Sequence, residues 1–81
     1  MLSLNYIKKF IPYAQQNNVS EVARSKRGFL TAYMNGQLTE DWLHKRENFI
    51  KRHLAQYKRG EMRRRVAMIM WAFDPELASE S

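Results

Sequence analysis

The chain contains 81 residues, and its 14 Lys and Arg residues against 8 Asp and Glu residues give a formal net charge of +6. This length suits one domain, and with 44% hydrophobic residues the chain is too apolar to be disordered by composition. It has no cysteine, which excludes disulfides, thiolate zinc sites and cysteine nucleophiles. Its longest apolar run, Val66 to Phe73, is far shorter than the roughly 20 residues that span a bilayer. We therefore expect a single cytoplasmic domain over residues 1–81, without a membrane span.

The first apolar residues recur at helical spacing after a candidate capping residue, Ser3. This stripe consists of Leu4, Ile7, Phe10, Ile11 and Ala14. Pro12 interrupts it, because proline lacks a backbone donor and disfavours helix at the preceding residue. We expect either a kinked helix, or a short helix that ends near Phe10 and a new turn that starts at Pro12.

Ser20 is a candidate N-cap for a second helix, with Glu21 in its first turn and Asn35-Gly36 at its end. One face of this helix would carry Val22, Phe29, Leu30, Tyr33 and Met34. Gly28 lies inside the segment and costs a helix about 1 kcal/mol relative to alanine. The helix is therefore either continuous or broken at Gly28, or Gly28 lies where another stretch of backbone comes close.

The clearest helix start is Thr39-Glu40-Asp41, a capping oxygen followed by two carboxylates at the positive end of the helix dipole. This third helix should run to about Lys58, and Gly60 marks its end. Arg46 and His53 fall within its apolar arc. The other members of the arc are Trp42, Leu43, Phe49, Ile50, Leu54 and Tyr57.

A fourth helical segment is predicted from Glu61 to Phe73, where Asp74-Pro75 stops it. Its main apolar face consists of Met62, Val66, Ile69, Met70 and Phe73. The run Val66 to Phe73 could alternatively be a buried strand, but we favour helix because no second strand-like segment exists to pair with it. Residues 76–81 are expected to form a frayed tail. The sequence thus predicts an all-α fold, a compact bundle of three to four helices.

No catalytic motif is present: the chain lacks a Gly-rich phosphate loop, G-x-S-x-G and H-E-x-x-H. His44 and His53 are nine residues apart, on different sides of a helix, so they cannot hold one metal from that helix. We therefore expect no enzyme activity, no cofactor and no metal, and no motif identifies a small-molecule substrate. His44 should be a surface residue. His53 should be a core or boundary histidine, with a pH-sensing or nucleic-acid-contacting role as the alternative.

Arg46 lies in the middle of an apolar arc, so it must either reach outward to solvent or meet a buried carboxylate. We expect a structural ion pair, with Glu21 or Asp74 as its partner. The alternative is a guanidinium held ready for a phosphate or for a partner's carboxylate.

Positive charge is concentrated between Trp42 and Arg65, where nine Lys and Arg residues stand against two acidic residues, a balance of +7. The first 41 residues carry +2 and the last 16 carry −3. Most of these cations lie off the apolar arcs, so we expect them to bind DNA or RNA through backbone phosphate, without strong sequence readout. The alternative is a solvated helix face. The expected contact residues are Lys45, Lys51, Arg52, Lys58, Arg59, Arg63, Arg64 and Arg65.

The segment from Val19-Ser20-Glu21-Val22-Ala23-Arg24 to Ala32-Tyr33-Met34-Asn35-Gly36 resembles the helix-turn-helix of Lac-repressor-type regulators, which has a similar V-A-R opening and N-G close. The resemblance covers 18 residues. Its centre is about three residues shorter than that family's turn, and Phe29 and Leu30 stand where polar residues open a recognition helix. No base-contacting residue is carried over to this chain.

Met68 and Trp71, with Arg64 one turn before Met68, form a stripe opposite the main apolar face of the fourth segment. If that segment is central in the fold, both of its faces are core. If the stripe is exposed, Arg64, Met68 and Trp71 would form an interface for a larger protein complex or a homodimer. A small interaction protein is therefore the alternative function.

Overall fold

The structure is a computed structural model that describes residues 1–78, and this part of the chain is helical without strands. Its helices are α1 (Leu4–Lys8), α2 (Ile11–Gln16), α3 (Glu21–Arg24), α4 (Phe29–Met34), α5 (Glu40–Gln56), α6 (Met62–Ile69) and α7 (Pro75–Ala78). The all-α prediction is confirmed for these residues. The number of three to four helices is not confirmed, because both of the first two predicted helices are divided and a turn of helix follows Asp74.

Local signals account for the division at Pro12. Ser3 caps α1 by accepting a hydrogen bond from the Tyr6 N–H at 3.2 Å. Pro12 lies in the first turn of α2, where its missing N–H leaves no helical hydrogen bond unmade. The prediction of a short helix followed by a new turn near Pro12 is thus confirmed.

Gly28 divides the second predicted helix into α3 and α4. A Cβ atom at Gly28 would lie 2.6 Å from the carbonyl oxygen of Ala23, and closer still to that of Val22, so only glycine fits there without a shift of backbone. Ser20 occupies the predicted N-cap position of α3, but its side chain does not cap the helix: its backbone is left-handed, and its hydroxyl donates to the Ala67 carbonyl at 3.1 Å.

The longest helix, α5, begins as predicted, with the Thr39 hydroxyl accepting a hydrogen bond from the Trp42 N–H. The run Val66 to Phe73 is not a strand: α6 extends to Ile69, and a turn through left-handed Ala72 follows it. The predicted frayed tail is helical at 75–78, and its remaining residues, 79–81, lie outside the described part of the chain.

The end of α6 and the turn that follows it lie at the centre of the fold, because residues 66–72 are all buried. Around them pack the buried side chains of Ile7, Ala14, Val19, Ala23, Phe29 and Leu30. The radius of gyration, 11.8 Å, is close to the roughly 12 Å expected for a folded chain of this length. Within residues 1–78, none of the helices combines the length and the apolar character needed to cross a membrane.

Candidate functional site

The helices α5 and α6 pack together and leave three adjoining depressions on the surface. Phe49 lines the first and second depressions, Arg52 the first and third, and His53 and Arg64 the second and third. We call this surface the basic groove. It is lined by Lys45, Asn48, Phe49, Lys51, Arg52, His53, Gln56, Glu61, Arg63, Arg64 and Trp71, with Val19, Ser20 and Ala67 completing one wall.

One face of α5 forms a large part of the basic groove. Residues 45, 48, 49, 52, 53 and 56 recur at spacings of three and four, so their side chains project from the same side of the helix. Arg63 and Arg64 approach from the first turn of α6. The groove therefore gathers five of the eight cations predicted as phosphate contacts.

The five groove cations are weakly neutralised within the described chain. Glu61 lies 3.5 Å from Arg64, and Glu47 lies 3.6 Å from Lys51 in a largely exposed pair. Exposed pairs of this kind contribute only about 0–1 kcal/mol. Lys45, Arg52 and Arg63 have no carboxylate within ion-pair distance among residues 1–78. The groove thus carries positive charge that is available to an anion.

Several groove cations are held in position by neutral groups. The Lys45 ammonium lies 4.8 Å from the centre of the Trp42 ring. Arg63 donates to the backbone carbonyl of Asn17, at the end of α2. Arg64 donates to the Gln56 side-chain oxygen at 3.2 Å. These contacts restrain the side chains without cancelling their charge.

A column of aromatic rings ends in the basic groove. Phe29 stacks on Trp71 and Trp71 on Phe49, each with 5.0 Å between ring centres, and Phe49 stacks on His53 at 4.0 Å. Phe29 is fully buried, whereas Phe49 and His53 are partly exposed. The column therefore connects the core to the floor of the groove.

His53 lies at the groove end of this column, as the boundary histidine that the sequence predicts. Burial, together with the positive charges of Arg64 and Arg52, lowers the pKa of its imidazole. The Arg64 Nη1 atom lies 3.5 Å from the His53 Nδ1 atom. The lowered pKa favours the neutral form of the ring.

Arg65, by contrast, is a structural residue and does not line the groove. Its Nε and Nη2 atoms donate to both oxygens of Asp74 at 3.0 and 2.9 Å, and Glu76 lies 3.8 Å away. The Tyr6 hydroxyl donates to the same Asp74 carboxylate. Burial raises the pKa of Asp74, but the hydrogen bonds from Arg65 and Tyr6 outweigh it and hold that pKa below its usual value. Arg65 was predicted as a phosphate contact, but its charge is already paired with Asp74, so it is not among the groove cations.

The remaining two predicted contacts, Lys58 and Arg59, are exposed in the loop between α5 and α6 and do not line the groove. They lie outside the concave surface and could supply only peripheral charge.

The predicted protein interface is not an exposed surface. Met68 is fully buried and Trp71 is 6% exposed, because α6 is central and both of its faces are core. Of the three predicted interface residues, only Arg64 keeps appreciable contact with solvent, with 29% of its side chain exposed. The docking stripe of Arg64, Met68 and Trp71 is thus wrong for the folded chain.

Arg46 is half-buried, and its partners are not the predicted carboxylates. Its Nε atom donates to the Trp71 carbonyl at 2.6 Å and its Nη2 atom to the Ala72 carbonyl at 2.9 Å. Asp74 is bound to Arg65, and Glu21 is exposed. Arg46 therefore satisfies the Trp71 carbonyl and shares the Ala72 carbonyl with the Leu2 N–H, and burial lowers the pKa of the Arg46 guanidinium.

The segment that resembles a helix-turn-helix does not present a recognition helix. α4 begins with Phe29 and Leu30, and both side chains are buried in the core. The first two positions of such a recognition helix are thus unavailable to base edges. His44 is exposed, as predicted, and no group of three or more potential ligands among the described residues could hold a metal ion.

Asn48, Phe49 and Gln56 are groove residues that the sequence prediction missed. Their signal is the recurrence of polar and aromatic residues at three- and four-residue steps between Lys45 and Gln56. No protein-family model matches the chain, and neither the curated proteins nor the solved structures include a significant match to it.

Proposed function

We propose that this protein binds nucleic acid through the basic groove, mainly by contacts with backbone phosphate. The observation that carries the proposal is the gathering of Lys45, Lys51, Arg52, Arg63 and Arg64 around one concave surface in which Glu61 is the acidic lining residue. Arginine and lysine side chains that surround a groove favour a polyanion, and its binding releases condensed counterions. The proposed activity is binding without catalysis.

Several cations of the basic groove are held in place by other groups of the fold, which favours a binding surface over a charged surface that merely keeps the protein in solution. Arg63 and Arg64 are each held by hydrogen bonds to neutral groups, so less side-chain entropy is lost when a phosphate binds. A helix face that serves only solubility has no need for such restraint. The proposed phosphate contacts therefore differ from those expected from the sequence. Arg65 is left out, and Lys58 and Arg59 lie outside the groove.

Fluorescence anisotropy of labelled 20-residue oligonucleotides, titrated with protein between 20 and 200 mM salt, tests the proposal. The groove variant Lys45→Gln/Arg52→Gln/Arg63→Gln should bind far more weakly than the parent. With single strands, the slope of log K against log salt should become shallower by about 2, because each phosphate contact contributes about 0.7.

The matched control is Lys8→Gln/Lys26→Gln/Arg27→Gln, which removes the same net charge from exposed positions outside the groove. It should retain most of the affinity and the full slope. If the two triple variants lose affinity equally, binding depends on the net charge of the protein and not on the groove. Absence of binding at 20 mM salt by the parent would refute the proposal.

A further inference from the structure

The aromatic column runs from the core of the fold to the basic groove. Its inner rings, Phe29 and Trp71, are buried, and its outer rings, Phe49 and His53, reach the basic groove. Neighbouring rings in the column are inclined by only 23–29° to one another. The column is therefore a stack of nearly parallel rings whose last member, His53, lines the groove.

Cations surround the end of this stack. Arg52 and Arg64 line one depression together with His53, and Arg63 and Arg64 line the other. A planar ring bordered by guanidinium groups matches the two parts of a nucleotide: the base has a π face for stacking, and the phosphate accepts charge-assisted hydrogen bonds. Lowering of the pKa of His53 favours the neutral ring, so stacking does not place another cation between Arg52 and Arg64.

Stacking of a base on an aromatic side chain distinguishes single-stranded from double-stranded nucleic acid. In a duplex both faces of an internal base are covered by neighbouring base pairs, so a protein ring can reach a base face only after unstacking it. An unpaired base has a free face, and stacking on an aromatic side chain is tolerant of base identity. This tolerance agrees with binding that lacks strong sequence readout.

We propose that the basic groove selects single-stranded nucleic acid, with one unpaired base stacked on His53 and the adjoining phosphates bound by Arg52, Arg63 and Arg64. This inference rests on the proposed function, since it assigns the form of nucleic acid to the same groove. Base stacking supplies the preference for single strands, and the guanidinium groups supply affinity that does not depend on sequence.

The test compares three labelled 15-residue ligands by fluorescence anisotropy at 50 mM salt: an intact DNA strand, an abasic strand with the same phosphates, and the duplex of the intact strand. The intact strand should bind about 5- to 150-fold more tightly than the abasic strand, the range expected for one base stacked on an aromatic side chain. The duplex should also bind more weakly than the intact single strand.

His53→Leu should abolish the difference between the intact and the abasic strand, because leucine fills space but has no π face. His53→Phe should retain that difference. His44→Leu is the matched control, because His44 lies on the same helix, is exposed and is outside the groove, and it should leave the difference unchanged. Circular dichroism and thermal unfolding establish that each variant is folded, and His53→Phe keeps a decisive comparison if leucine at position 53 destabilises the fold.

The outcomes separate this inference from the proposed function. If all three ligands bind equally and the groove triple variant loses all of them, the groove binds phosphate only, and the single-strand inference is overturned while the proposed function stands. If the intact strand is preferred but His53→Leu retains that preference, the assignment of the stack to His53 is overturned. If none of the ligands binds at 50 mM salt, this inference falls together with the proposed function.

Discussion

Replacing Arg65 with glutamine should destabilise the fold strongly, although Arg65 belongs to a run of three consecutive arginines. The Asp74 side chain is fully buried and the Arg65 side chain is 20% exposed, so the pair lies mostly out of water. Removing one partner of a buried ion pair costs about 3–5 kcal/mol. Asp74 would keep its hydrogen bonds from the Tyr6 hydroxyl and the Glu76 N–H, so we expect the lower end, about 3 kcal/mol.

That loss is large for a chain of this size. At about 0.05–0.15 kcal/mol per residue, the free energy of unfolding should be about 4–12 kcal/mol. One kcal/mol shifts Tm by about 4–8 °C in a domain of this length, so Arg65→Gln should lower Tm by about 12–24 °C. Arg59→Gln is the control, because its side chain is exposed in the α5–α6 loop and its loss should change stability by less than about 0.5 kcal/mol.

The pH dependence of the loss identifies its cause. Without Arg65, burial should raise the pKa of Asp74 above its unfolded value, so the folded variant takes up a proton more readily than the unfolded chain does. The deficit of the variant relative to the parent should therefore shrink as the pH falls from 7 towards 4, because the other titrating groups are the same in both proteins.

Urea unfolding at pH 7 and pH 4, combined with a double-mutant cycle with Asp74→Asn, measures both effects. In the Asp74→Asn background, Arg65→Gln should cost much less than in the parent. A cost that is unchanged in that background, or no greater than the cost of Arg59→Gln, would refute the assignment of Arg65 to a structural ion pair.

Three further predictions concern single positions. Gly28→Ala should cost about 2 kcal/mol, because its methyl group would overlap two carbonyl groups of α3, whereas Gly36→Ala, in open space at a φ of 67°, should cost about 1 kcal/mol in a urea titration. Arg46→Met should cost about 2 kcal/mol, because it leaves the Trp71 carbonyl without its donor and the Ala72 carbonyl with the Leu2 N–H alone, whereas Arg52→Met should leave Tm nearly unchanged. Since the pKa of His53 is lowered in the folded state, stability should fall as the pH drops below about 6.5, and His53→Gln should remove that part of the pH profile.

Helix boundaries were predictable from sequence where the responsible contacts are local. Thr39 lies three residues from the N–H group that it accepts from, and Pro12 acts on its own turn. Ser20 has the same kind of sequence signal as Thr39, yet its hydroxyl binds the Ala67 carbonyl, 47 positions along the chain. A contact of that kind depends on the packing of α6, which no capping rule contains.

The burial of α6 had a sequence signal that was open to two interpretations. Met68 and Trp71 lie opposite its main apolar face, so the segment is apolar on all sides, as a central helix is. The same pattern describes an exposed docking stripe on a peripheral helix. Only the placement of α6 among the shorter helices decides between them, and that placement depends on contacts between residues distant in sequence.

The partners of Arg46 and Arg65 were harder to predict from the sequence. The apolar arc of α5 indicates that Arg46 must either reach outward to solvent or meet a buried carboxylate, and a carboxylate is the partner that the sequence predicts. Its actual partners are backbone carbonyls after α6, which a sequence pattern of side chains does not display. Asp74 was consequently assigned to the wrong arginine, since the turn that brings it back to Arg65 is formed by left-handed Ala72.

The contacts of the individual arginines and lysines change the number of cations that can bind a polyanion. The sequence predicts eight phosphate contacts. Arg65 is bound to Asp74, and only five of the eight line the basic groove. For a single strand, eight contacts would give a salt slope of about −5.6 and five contacts a slope of about −3.5. The two values are well separated in an anisotropy titration. A slope near −3.5 would favour binding confined to the groove, whereas a slope near −5.6 would require cations outside the groove, and Lys58 and Arg59 would be the first to test.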